Sequence, residues 1–463
     1  MSEKTTHIGR KKFKIHFVGI GGVGMSGIAE VLVNLGYEVS GSDIKENEAT
    51  RRLATLGAKI TAGGHHESNV GEADVVVVSS AIKQGNPEVE SAKRRGIPVI
   101  PRAEMLAEIM RLKESIAVSG SHGKTTTTSL IATILGEAGW DPTIVIGGRL
   151  NAIGKNAAVG KGDWMVVEAD ESDGSFLKLS PSVSVITNID PEHLDHYHSH
   201  ENLIKAFIDF ANKVPFYGFT MLCLDHHAVQ SMLPKVTKKH YTYGLSVQAD
   251  YRAEEIKLEE KKTSFDFIVK GERKGKIEVG LIGVHNVLNV LAAMGVALEL
   301  EIPYETAAEA VSKFAGVGRR FTILGEYNGA ILVDDYAHHP AEIMATLEAA
   351  KNSYRTKNII AVFQPHRYTR VEKLMEDFEH SFNRAYEVIV TEIYSAGEDP
   401  ILGVSASRLA EGIRMHGHRN VHFIPALPDV VQYLANRISN RDIVITLGAG
   451  DVSWVLKELL RQK

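Results

Sequence analysis

One cysteine in 463 residues, Cys223, leaves no partner for an internal disulfide and fits a reducing compartment. It stands in the apolar run 219–224, which marks a buried structural thiol and not a nucleophile. Long apolar runs are missing too, so no membrane span is expected. The first residues, Met1 to Lys14, are polar and basic with no apolar core, so no secretory signal is read there. A cytoplasmic protein is the expectation. Neither charge dominates: 52 Lys and Arg stand against 57 Asp and Glu, a net charge of −5. Nothing in that balance draws the chain to nucleic acid or an anionic membrane. An anionic ligand has to be met by local clusters of Arg, Lys and helix ends.

What is present is ordinary globular material, with 44% hydrophobic and 24% charged residues. The length exceeds one core and implies two to four domains. The chain's focus is residues 119–128. A short β-branched run (Ile116, Val118) leads through Gly120, Ser121, His122, Gly123 and Lys124 into Thr125, Thr126 and a predicted helix ending near Glu137. A strand that passes through a glycine turn into a helix start presents free N–H groups and the positive end of the helix dipole. Lys124 adds a point charge, and the Thr125 hydroxyl can ligate Mg²⁺ between phosphates. The full P-loop pattern asks for glycine where Val118 stands, so the match is the shortened Gly-x-x-Gly-Lys-Thr. A nucleoside-triphosphate site is the reading.

Upstream, residues 14–18 read as a strand, followed at once by Gly19, Gly21, Gly22 and Gly24. Met25, Ile28, Val31, Leu32 and Leu35 then recur at helical spacing. A second strand ends in Ser42 and Asp43. This is the whole dinucleotide-binding context, with glycines for close approach of a diphosphate and an acid for a ribose. NAD, FAD and a nucleotide sugar all satisfy it. His65, Ser80 and Arg102 fall near predicted strand ends and can reach the same ligand.

Behind the phosphate loop, a strand ending in Glu168 runs into Asp170, Glu171 and Asp173, an acidic cluster that calls for a cation. Glu168 can hold Mg²⁺ with Thr125, and His193, after a second strand, can reach a second ion. Four histidines between 193 and 200 raise a zinc reading, weakened by irregular spacing and the lack of nearby cysteine. Residues 253–281 alternate apolar and charged and read as exposed antiparallel strands at a sheet edge. Asn286 and Asn289 share one face of a long apolar helix, where they can bond a base or ribose, or where Asn286 can cap the helix. After two glycines and Arg319, Arg320 comes a new βα series. Its first strand ends in Asp334, Asp335, His338 and His339, its second in His366, Arg367 and Arg370. Polar clusters at the carboxyl ends of successive strands make a site, and two arginines three apart can grip a carboxylate or phosphate.

Residues 17–30, the 120–128 loop, residues 334–340 and residues 364–370 together, in this order, resemble the Mur ligases along the length of the chain. The family usually has threonine where Ser121 stands. The resemblance implies an α/β chain of three domains. These are a Rossmann-like UDP-sugar-binding domain (1–112), a central P-loop ATPase sheet (113–318) and a Rossmann-like domain (319–463) that closes over both. It assigns the first glycine turn to UDP and favours Mg²⁺ over zinc. It further implies ATP-dependent joining of L-alanine to UDP-N-acetylmuramate through an acyl phosphate, a step of peptidoglycan precursor synthesis. On that reading Lys124 and Arg320 spread the transferring charge, and Asn286 and Asn289 hold adenine. Asp334 or Asp335 holds the ribose, and Arg367 and Arg370, beside His338, orient the amino acid. Rival readings are a peptide-adding relative and an NAD-dependent oxidoreductase.

Overall fold

The protein is described by a computed structural model over residues 13–79, 81–150 and 155–462, of which 23, 147–150 and 155–157 by backbone alone. Three sheets organise it. The first has five parallel strands in the spatial order Lys59–Ala62, Glu38–Asp43, Lys14–Val18, Val75–Val78, Val99–Pro101. Strand order reverses beside Lys14–Val18, so the crevice for a ligand opens at the turn that follows it. Alternation decides the two faces. Ile15 and Phe17 pack with Met25, Ile28, Leu32 and Leu53, whereas Val18 packs with Val70, Val76 and Ala92.

The second sheet has ten strands. Their order is Glu272–Val279, Thr263–Val269, Tyr251–Leu258, His240–Gly244, Phe219–Cys223, Val183–Ile186, Glu114–Ser119, Trp164–Glu168, Thr143–Leu150, Lys155–Ala158. The strand before the phosphate loop lies at the middle, parallel to both neighbours. Glu272–Val279 is outermost, as the alternating charge of 253–281 predicts, and the connections 259–262 and 270–271 are too short for anything but antiparallel neighbours. Cys223 is buried, and burial pushes its thiol up to about 11, which removes it as a nucleophile at neutral pH.

The third sheet runs Thr322–Tyr327, Ala330–Asp335, Asp442–Leu447, Asn358–Phe363, Glu387–Val390, Val421–Phe423. Its first strand is antiparallel and was not foreseen: it is a half-exposed edge strand with a bulge between Ile323 and Gly325, so it offers no apolar run to read. After the strand Asn358–Phe363 come two short helices, Tyr368–Lys373 and Met375–Glu379, separated where Leu374 leaves helical geometry. Among the described residues no helix is long and apolar enough to cross a membrane.

The chain forms two compact units, one of residues 1–254, 266–275 and 288–314, the other of 255–265, 276–287 and 315–463. A core running from Phe17 and Met25 through Met165 to Phe176, Phe207 and Phe210 joins the first sheet to the second within the first unit. The second unit has a core on each face of the third sheet, one around Val333, Phe363 and Phe378, the other around Leu332, Val362 and Leu456.

Candidate active site

At the first glycine turn, the close approaches are made by the protein's own side chains. A Cβ on Gly21 would lie 2.5 Å from Asn47 Nδ2 and 2.8 Å from Asp43 Oδ2, and one on Gly24 would lie 2.5 Å from Arg102 Nη1. Asp43 accepts the Gly21 N–H at 2.8 Å, and Asn47 donates to the Gly21 carbonyl at 3.2 Å. Gly19 takes φ +81° and donates its N–H to the Ser42 carbonyl. Asp43 therefore braces the turn. Arg102 arches over Gly24 at the start of the 12-residue helix Val23–Asn34, and its Nη2 reaches Asp170 Oδ2 at 3.5 Å. Ser42 and His65 are brought together, Oγ to Nδ1 at 2.9 Å. Ser80 lies outside the described residues.

The phosphate loop is latched to the neighbouring strand end. The N–H groups of Ser121 and His122 donate to the carbonyl and the side-chain oxygen of Asn188, at 3.1 and 2.7 Å. Ser121 Oγ accepts the Asp190 N–H at 2.9 Å. The His122 ring meets Asp190 at 3.0 Å and Glu192 at 3.2 Å, while His226 meets Asp190 at 3.2 Å. Hydrogen bonds from those two histidines hold the Asp190 carboxyl well below the usual range. With these groups committed to the latch, the N–H groups left without intrahelical acceptors are those of the helix start from Gly123 to Thr126, an arrangement suited to an anion. Gly120 (φ +131°) and Gly123 (φ +82°) have no room for a side chain: Cβ atoms there would strike Thr187 Oγ1 and Asn289 Oδ1.

Lys124 Nζ lies 2.5 Å from the Gly120 carbonyl, 3.1 Å from that of Ser121, and 2.9 Å from Glu171 Oε2. Burial opposes its charge, but Glu171, Glu168 and Asp170 outweigh it and hold its pKa above the ordinary lysine value. The cation demanded by the acidic cluster is thus supplied in large part by Lys124, with Arg102 beside Asp170. That partnership went unread because Lys124 and Glu171 are 47 residues apart. Thr125 Oγ1 donates to Glu168 Oε2 at 2.9 Å, a hydroxyl and a carboxylate that suit Mg²⁺, which prefers oxygen ligands. His193 stands at a strained φ of +56°, its Nε2 3.6 Å from Glu192 and 3.9 Å from Glu171. Asn289 accepts the Thr127 hydroxyl at 3.1 Å and so buttresses the loop from behind.

In the second unit, Arg319 (φ +60°) pairs with Asp334 at 3.2 Å and donates to the carbonyls of Gly448 and Gly450. Thr446 also donates to Asp334. Asp335, pushed up to about 6 by burial, accepts the N–H groups of Phe321 and Ala337 at 2.8 Å each. Both aspartates brace the strand end. Arg320 meets Glu342 at 3.3 Å and lies over the Tyr336 ring. Asn286 donates to the Ile282 carbonyl at 2.8 Å. His338 and His366 come ring to ring at 5.9 Å, and Arg370 Nη1 donates to His366 Nδ1 at 3.3 Å, a bond that needs a neutral imidazole. Burial, then the two arginines, bring His366 down to about 4. Its ring stacks on Tyr394, a residue that no motif marks, with centroids 5.5 Å apart. Arg367 is exposed at φ +69° and donates its N–H to the Tyr394 carbonyl.

Comparison with known proteins agrees with this arrangement along the chain. Residues 14–114 match the Mur ligase family catalytic domain, 118–297 the Mur ligase middle domain, and 319–450 the Mur ligase glutamate ligase domain. Over 450 residues the chain is 55% identical to the UDP-N-acetylmuramate–L-alanine ligase of Anaeromyxobacter dehalogenans, covering 97% of this chain and 98% of that one. It belongs to the Mur ligase family. The enzyme of the same name from a Geobacter species is 56% identical over 452 residues, covering 97% and 98%. The crystal structure of UDP-N-acetylmuramate–alanine ligase from Thermotoga maritima is similar with a TM-score of 0.83 at 29% identity, covering 97% of this chain and 99% of that one. The α/β fold of a three-domain Mur ligase, expected from four short motifs, is therefore that of the whole molecule.

Proposed function

We propose that this Mur ligase joins L-alanine to the carboxylate of UDP-N-acetylmuramate, with ATP converted to ADP and phosphate. The observation that carries the reading is the Lys124–Thr125 helix start, facing Glu168, Asp170 and Glu171, in a chain so similar throughout to ligases of that name. The sugar's carboxylate attacks the γ-phosphorus, the bond to the bridging oxygen breaks, and ADP leaves with that electron pair. Lys124 meets the charge moving between phosphate oxygens, an electrostatic task that needs no protein nucleophile. The alanine amine then attacks the acyl carbon, and phosphate departs as the amide forms. Arg102, over the glycine turn, meets the UDP diphosphate. Arg367 and Arg370, with His338 and His366, take the amino-acid carboxylate, for which a planar fork is apt.

Thr125 and Glu168 are the residues to hold Mg²⁺, which would neutralise phosphate charge there. The lone buried thiol supports placing the reaction in the cytoplasm. The test is ADP release with the UDP sugar and L-alanine omitted in turn. Release that needs both substrates is the expected result. Release indifferent to either removes the assignment.

A further inference from the structure

The face of the first sheet opposite Phe17 carries polar groups where apolar ones would be cheaper. His16, Ser40 and Ser42 project from it in parallel register, and Glu88 of the helix Pro87–Arg94 covers them. His16, Ser42 and Glu88 are 1%, 0% and 0% exposed. Glu88 Oε2 accepts from Ser42 Oγ at 2.7 Å and from His16 Nε2 at 3.0 Å. Its Oε1 accepts from Asn69 Nδ2 at 2.7 Å and from the His66 N–H at 3.2 Å. Donors surround both oxygens, which only a carboxylate satisfies. Those hydrogen bonds outweigh burial and hold Glu88 ionised, down to about 2. A buried polar network in place of an apolar core breaks a local rule, as functional positions do.

The direction of the bonds has a consequence at the ligand edge. Ser42 has one proton, and the charged acceptor takes it. Its oxygen must then accept from His65 Nδ1, 2.9 Å away. That fixes His65 with hydrogen on Nδ1 and leaves Nε2, in the neutral ring, as a bare acceptor. Residues 63 and 64, just before it, donate their N–H groups to the Asp43 carbonyl, which places His65 beside the glycine turn.

We infer that Glu88 is a positioning residue for UDP-sugar binding: acting through Ser42, and directly through its Oε1, 3.5 Å from His65 Nδ1, it sets His65 as a hydrogen-bond acceptor toward a donor on the uridine. The inference rests on the reading of this edge as the UDP-sugar site. In Glu88→Gln the amide brings two hydrogens into a shell of donors. The His66 N–H cannot turn away, so the amide nitrogen faces Ser42, whose hydroxyl then turns to donate to His65. The acceptor becomes a donor.

The experiment has two parts on the full chain. In ¹⁵N-histidine spectra without substrate, His65 should show hydrogen on Nδ1 in the wild type and lose that pattern in Glu88→Gln. In steady-state kinetics Glu88→Gln should raise KM for the UDP sugar about tenfold, the weight of one hydrogen bond. The kcat and the KM for ATP should stay within about twofold. In a His65→Ala background Glu88→Gln should add almost nothing, because the two act as one unit. Should Glu88→Gln not fold, Ser42→Ala removes the bridging hydroxyl while Glu88 Oε1 stays beside His65 Nδ1, and should give a smaller KM rise in the same direction. Effects that add in the His65→Ala background, or that fall equally on ATP, overturn the inference. Failure of the site reading itself is distinct: wild-type protein would then not bind the UDP sugar, while the histidine spectra still test the Glu88–His65 link.

Discussion

Lys124 carries two burdens at once. In the proposed reaction it meets the transferring phosphate, and it is the counter-ion of Glu171, which is 2% exposed. Lys124→Ala should therefore lower turnover by about a hundred- to a thousandfold, the loss of roughly 3–4 kcal/mol of transition-state stabilisation. It should also destabilise the protein, since Glu171, which burial already pushes up to about 7, must then take up a proton or stand as an uncompensated charge, at a cost of up to about 3–5 kcal/mol. Turnover and denaturant melting of the same preparation separate the two effects. A second residue makes a prediction about pH. Burial lowers His338 from 6.5 to about 4, so the unfolded chain binds its proton first. Stability from the neutral ring is complete above 6.5 and is lost as pH falls toward 4. His338→Gln should flatten the stability–pH curve in that window by at most one proton, about 1.4 kcal/mol per pH unit, with little change above pH 7. Parallel curves for the two proteins would show that His338 is protonated in the folded state.

At the scale of the element, the phosphate loop depends on a helix 162 residues away in sequence, through Asn289. Gly123→Ala would force a Cβ to 2.6 Å from Asn289 Oδ1 at φ +82°, where an L residue costs about 1–2 kcal/mol before any clash. A large rise in KM for ATP is expected. Gly136→Ala is the control in the same helix: nothing lies within 4 Å of its added Cβ, so it should be neutral or gain about 0.5–1 kcal/mol. Equal effects would mean that the loop is not held as described. The loop and its helix were legible because strand, glycine turn and helix start are contiguous and each has a local signature. The same holds for the first glycine turn and the parallel strands of the third sheet. Three kinds of feature were not legible. Thr322–Tyr327 has no apolar run because it is an edge strand. Lys124 with Glu171, and His122 with Asp190 and His226, are pairs made by the fold, with no periodicity to announce them. Asp43, Asp334 and Asp335 bond backbone N–H groups, a guanidinium and a hydroxyl of their own chain, partners chosen by the fold and marked by no motif.

At the scale of the molecule, the glycine turn and the phosphate loop lie in one compact unit, with Arg102 between them: it covers Gly24 and reaches Asp170 of the acidic cluster. In the proposed reading the UDP sugar meets the turn and not Lys124, so the two sites should be separable by mutation. A ligand that binds only the folded protein stabilises it by about 2.7 kcal/mol at a hundred times its Kd. UDP-N-acetylmuramate should therefore raise the melting temperature of wild type and of Lys124→Ala alike, although the variant no longer turns over. Arg102→Ala should lose most of that rise, because a diphosphate over Gly24 then meets only helix N–H groups. NAD should raise none of the three. Lys124→Ala also takes a neighbouring cation from Asp170 yet should keep the UDP response, so a lost cation at Asp170 is not enough to explain the loss of that response in Arg102→Ala. Thermal melting with each ligand in turn checks the set. A rise with NAD and none with the UDP sugar would return the glycine turn to a dinucleotide, while a full rise in Arg102→Ala would move the diphosphate away from Gly24.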